Sequence, residues 1–105
     1  MNPRQAAKVD INHGQIRDEL RQCGFVVFDT HALGNGYPDL HVSTAGWAIR
    51  VEVKPPGKEK SLTTYELAFQ EIWQGPYIIA TRTEDVIERY DDWIDKVYRP
   101  ECPPA

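Results

Sequence analysis

Apolar residues recur along this chain at two spacings. Three stretches repeat every three to four positions, as one face of a helix does. They are Ile16, Leu20 and Cys23; Tyr65, Ala68, Phe69, Ile72 and Trp73; and Val86, Ile87, Tyr90, Ile94 and Val97. The first two open on capping-box patterns, Asn12 with Gln15 and Thr63 with Glu66, and Ile11/Ile16 and Leu62/Leu67 fall at the staple positions. The third opens at Thr83, followed by Glu84 and Asp85, two acids favoured in a helix's first turn. Gly24 and Gly75-Pro76 stop the first two helices. Four strand-like runs lie between: Phe25 to Asp29, Leu40 to Ser43, Ala48 to Lys54, and Tyr77 to Ala80. Thr44-Ala45-Gly46-Trp47 reads as a hairpin turn joining the second and third. The order predicts an α/β fold, with an antiparallel meander, a crossover through the second helix to a last strand of a mixed sheet, and a C-terminal helix.

Length and charge narrow the picture. A chain of 105 residues holds one domain, taken as 1–99, with Pro100 to Ala105 read as a disordered tail. Two cysteines, Cys23 and Cys102, are too few for a disulfide scaffold. No apolar run approaches the roughly 20 residues that cross a bilayer. No apolar segment follows Met1-Asn2-Pro3-Arg4-Gln5, so the expected setting is reducing and cytoplasmic. Residues 1–83 carry nine basic and nine acidic side chains, so the net charge of −4 arises entirely after them. That argues against a protein that coats nucleic acid indiscriminately. Within 50–60 the balance reverses, with Arg50, Lys54, Lys58 and Lys60 against Glu52 and Glu59. A local contact with phosphates is expected there.

The third strand carries the chemistry. With period-two alternation, Ile49, Val51 and Val53 face a core, while Arg50, Glu52 and Lys54 share the other side. Charges on a strongly apolar strand are costly to bury unless paired or bound. Pro38 holds Tyr37 extended and delivers Asp39 at the start of the neighbouring strand. Across the hairpin, Asp39 comes opposite Glu52 to Lys54, so two carboxylates and a lysine should converge at one sheet end. The alternative is a surface salt bridge. Gly34-Asn35-Gly36 reads as a loop over that site, and Trp47 as either a base-stacking or a packing residue. His13, His31 and His41 have no metal-ligand spacing with either cysteine, so a zinc site is not expected, and His31 reads as a solvated loop residue.

Gly36-Tyr37-Pro38-Asp39-Leu40 followed by Val51-Glu52-Val53-Lys54 resembles the PD-(D/E)XK nuclease signature. The ordered set Asp10-Ile11-Asn12, Gly34-Asn35-Gly36, Pro38-Asp39-Leu40, Glu52-Val53-Lys54, Leu62-Thr63, Trp73-Gln74-Gly75 and Thr83-Glu84-Asp85 is similar to the small stand-alone VRR-NUC nucleases of phages and bacteria. The resemblance implies a restriction endonuclease-like αβββαβ core and cleavage of DNA phosphodiesters with Mg²⁺ or Mn²⁺. Asp39, Glu52 and the Val53 carbonyl would hold the ion, and Lys54 would orient water or neutralise phosphate.

The sequence departs from that family in two places. Where the family often has a helix-1 glutamate, this chain has His13-Gly14-Gln15, leaving Gln15 or Glu19 as substitutes. Where the family has a glutamine in the second helix stands Glu66, with Gln70 four residues on. Arg50, Lys58, Lys60, Gly34 and Gly36 are the candidate DNA contacts. A net charge of about +2 over 50–60 is small for holding a duplex, so a homodimer is expected, with Tyr90, Trp93 and Tyr98 as possible interface aromatics. The resemblance points to branched DNA such as four-way junctions. A general, nicking or flap nuclease acting with a partner, and a catalytically silent DNA-binding subunit, are the alternatives. No membrane partner and no small-molecule cofactor are expected.

Overall fold

The computed structural model describes residues 11–98. The expected tail and Cys102 lie outside these residues, as does the side chain of Tyr98. The elements run α1 (His13–Gln22), β1 (Val26–Asp29), a 3-10 turn (His31–Leu33), β2 (Leu40–Thr44), β3 (Trp47–Val53), α2 (Thr64–Ile72), β4 (Tyr77–Ala80) and α3 (Thr83–Tyr98). The sheet order is β1-β2-β3-β4. The first two pairings are antiparallel and β3–β4 is parallel, as the meander-and-crossover pattern predicts. Ala45 and Gly46 turn the β2–β3 hairpin with positive φ at both positions, 48° and 87°, a geometry that matches the twist of the flanking strands.

Alternation along the strands sorts the two sheet faces. Leu40, Val42, Ile49, Val51 and Val53 pack with Val27 against Ile16 and Leu20 of α1 and Val86 of α3. Tyr90 sits edge-on to both Phe25 and Trp47, each at 5.3 Å between ring centroids. Trp47 is therefore a core residue, not a base-stacking tip. On α3 the inward stripe is Val86, Ile87, Tyr90 and Trp93. Val97, one turn beyond Trp93 and expected in that stripe, is exposed. Among the described residues no helix is long and apolar enough to cross a membrane.

The opposite face is covered more sparsely. The capping box of α2 forms as predicted: Thr63 Oγ1 accepts from the Glu66 N–H at 3.1 Å, and Glu66 Oε1 accepts from the Thr63 N–H at 2.9 Å. Phe69 stacks on Trp73 and meets Tyr37 and Tyr77. Tyr65 and Ile72, expected on the same buried face, are 66% and 76% exposed. Ala68 of that expected face is exposed as well, so Phe69 and Trp73 carry the packing of α2 on the sheet.

The start of α1 departs from its sequence pattern. Asn12 makes no side-chain cap there. Its Nδ2 donates instead to the Lys54 and Thr81 carbonyls, at 3.0 and 2.8 Å, just past the ends of β3 and β4. Gln15 donates to Glu19 at 3.1 Å rather than completing a capping box, and Ile11 is almost fully exposed, so no staple forms. Tying two strand ends together outweighs a local cap. At the start of α3, Thr83 is buried and donates to Glu19 Oε1 at 2.5 Å, while Asp85 accepts from the Thr81 and Arg82 N–H groups.

Candidate active site

The β2–β3 register pairs Leu40 with Val51, which continues to Asp39 opposite Glu52. The Val53 N–H donates to Asp39 Oδ2 at 2.8 Å and fixes that carboxylate against the β3 backbone. Glu52 leaves the same strand on the α2 side, 3% exposed. Lys54 Nζ lies 2.8 Å from Glu66 Oε1 and 3.7 Å from Glu52 Oε2. These groups line a cleft of about 390 Å³ together with His31, the Gly34–Tyr37 loop, Thr63 and Tyr65. A wider, shallower groove of about 630 Å³ runs between β4 and α3 past Arg82, Asp85 and Glu88. Chemistry rather than size singles out the first.

Three carboxyl groups share that cleft with one ammonium. Burial, then the neighbouring charges of Asp39 and Glu66, push Glu52 up to about 9, so its carboxyl holds a proton at neutral pH. Burial also opposes the charge on Glu66. The hydrogen bonds from Lys54, the Thr63 backbone and Glu52 outweigh it and hold Glu66 below its ordinary range. Tyr77, raised to about 12 by burial and then by Glu52 and Glu66, remains a neutral phenol beside them. Three carboxyl groups facing one ammonium leave negative charge that a bound cation could offset. Two acidic oxygen donors on rigid strand ends fit a hard divalent ion.

The structure brings Asp39, Glu52, Lys54 and Glu66 together and leaves other candidates apart. Glu19 accepts from both Gln15 and Thr83, and neither Gln15 nor Glu19 lines the cleft. Gln70 is exposed and hydrogen-bonds Tyr77. Arg50 donates to the Tyr37 hydroxyl at 2.9 Å and lies 4.8 Å from the Trp73 ring centroid, so its guanidinium braces α2 against the sheet. Lys58 and Lys60 are exposed on the β3–α2 connection. Gly34 and Gly36 line the cleft. At Gly36, φ is +85° and a Cβ would collide with the Tyr65 carbonyl, so only glycine lets the loop pass this close to α2.

Sequence reasoning passed over two histidines. His31 is not a solvated loop residue: it is half-buried, and its Nδ1 lies 3.3 Å from Asp39 Oδ1. His13 is buried and meets the His31 ring edge-on at 5.3 Å. Possible ligand atoms of His13, His31 and Asp39 all fall within 4.8 Å of one another. No local signal marked them, because their meeting is made by α1 and the 3-10 turn coming together in the fold. No known family model matches this chain, and neither a curated protein nor a solved structure does.

Proposed function

We propose that this protein is a metal-dependent nuclease that hydrolyses DNA phosphodiester bonds, with a restriction endonuclease-like core. One observation carries the reading: Asp39, Glu52 and Lys54 converge in a single cleft, with Asp39 held by the Val53 N–H and Lys54 beside Glu52. Asp39 and Glu52, with the Val53 carbonyl, would hold Mg²⁺ or Mn²⁺. When bound, such an ion activates water and offsets charge on the phosphoryl oxygens. Glu52 would serve as a ligand in its carboxylate form, its proton passing to solvent. Asp39 is kept in place by the Val53 N–H, and Glu66 anchors Lys54 by a direct ion pair. Lys54 then serves to position the attacking water or the scissile phosphate. The purified protein should nick or cut DNA with Mg²⁺ or Mn²⁺. Asp39→Asn and Glu52→Gln should lose cleavage and Mg²⁺ binding while keeping the fold, and Lys54→Met should lose cleavage yet still bind Mn²⁺ in calorimetry. Full turnover by Glu52→Gln would refute the assignment.

The substrate most in keeping with this reading is branched DNA cut by a homodimer, since two protomers present two clefts to two strands. Light scattering combined with cleavage of a four-way junction and of its isolated arms tests this. A monomer that cuts linear duplex as fast as the junction leaves a general endonuclease.

A further inference from the structure

Asp39 has two carboxylate oxygens, and they face different surroundings. Oδ2 accepts from the Val53 N–H on the β3 side, while Oδ1 lies 3.3 Å from His31 Nδ1. That spacing is long for a hydrogen bond between charged partners, roughly 2.7–2.9 Å. It matches the roughly 3.4 Å that separates two ligands of one tetrahedral ion with bonds near 2.1 Å. His13 completes a triangle with His31 and Asp39 whose ligand atoms lie within 4.8 Å of one another. Its Nε2 lies 3.0 Å from Asp29 Oδ2, a carboxylate that also accepts from Arg17 at 3.2 Å. In the tautomer whose Nε2–H is handed to Asp29, the imidazole lone pair is on Nδ1. Metal-ligating histidines are characteristically held this way, with the far N–H handed to a carboxylate.

From this geometry we infer that His13, His31 and Asp39 form a second cation site, sharing Asp39 and His31 with the wall of the carboxylate cleft, that takes a borderline transition-metal dication such as Zn²⁺ or Co²⁺. Two imidazoles and one carboxylate suit such ions, whereas Mg²⁺ is held by oxygen donors. Three protein ligands leave a fourth position open to water or to a phosphate oxygen. Asp39 would then join the two sites, one oxygen to each. The inference concerns metal binding alone and stands whether or not the cleft hydrolyses DNA.

Titration of the full chain with Co²⁺ in excess Mg²⁺, followed by visible absorption and calorimetry, tests it. A Cys23→Ser/Cys102→Ser background removes thiol competitors. One Co²⁺ per chain should bind, with a visible spectrum showing nitrogen ligation. His31→Ala, in a half-buried turn and so the variant that spares the core, should weaken Co²⁺ by about tenfold or more. Glu52→Gln should leave Co²⁺ binding in place. The inference is overturned if His31→Ala binds Co²⁺ like the parent, or if Glu52→Gln abolishes that binding.

Discussion

A glutamate that keeps its proton at neutral pH makes the fold sensitive to alkali. The ordinary value for Glu52 is 4.5 and the folded value is about 9. Between those limits the folded chain holds one more proton than the unfolded chain. Stability should therefore fall as pH rises through that window, with the gain fully present only below it. Glu52→Gln removes the linkage because glutamine is neutral throughout. In the absence of divalent ions, the melting temperature of the parent is expected to drop relative to Glu52→Gln between about pH 5 and pH 9. Parallel curves for the two proteins would show that Glu52 ionises normally. The Asp39–Glu52 meeting is legible in the sequence, because strand alternation and hairpin register are arithmetic. The proton on Glu52 is not, since it depends on burial and on Glu66 arriving from a different element.

At the scale of the elements, residues with two possible partners separate what a pattern reveals from what it conceals. Thr63 and Glu66 form their capping box because both partners lie within one helical turn. Asn12 has an equally good local pattern, yet its amide serves carbonyls 42 and 69 residues away. No local rule can foresee a competitor so distant in sequence. The strands, the turn and the starts of α2 and α3 were readable because their chemistry is local. The role of Asn12, the exposure of Tyr65 and Ile72, and the pairing of His13 with His31 are tertiary. Asn12→Ala should strand two carbonyls and cost about 1–3 kcal/mol. For a domain of this size, each kcal/mol lowers the melting temperature by roughly 4–8 °C. Gln15→Ala should stay within about 0.5 kcal/mol, since no capping box exists to lose. Equal losses from the two substitutions would restore the capping role and contradict the clamp.

Across the whole molecule, charge is divided between the two sides of the sheet. The acids of α3 belong to the helix packed on the core face, whereas Glu52 leaves β3 toward α2 and the cleft. The net charge of −4 arises after residue 83, whereas the cleft itself sets Asp39 and Glu66 against Lys54, so attraction for a nucleic acid has to come from basic side chains around it. Lys58 and Lys60 stand exposed on the connection that leads from Lys54 to Thr63. Replacing both with alanine should weaken DNA binding across sequences and reduce the slope of log affinity against log salt by about 1–2. Asp91→Asn with Asp92→Asn, on α3, should leave that slope unchanged. A salt dependence that follows α3 instead would move the DNA to the other side of the sheet.

The Asn12 clamp also implies an order of events in folding. Asp39 and Glu52 come from adjacent strands of one hairpin, so closing a short loop suffices to bring them together. His13 follows directly after Asn12, and its place beside Asp39 depends on α1 docking against strand ends that include Thr81. Loop closure over that distance costs more entropy than closing the hairpin. The carboxylate pair can thus exist in a partly folded chain, whereas the histidine corner is complete only when nearly the whole chain has emerged and closed on itself.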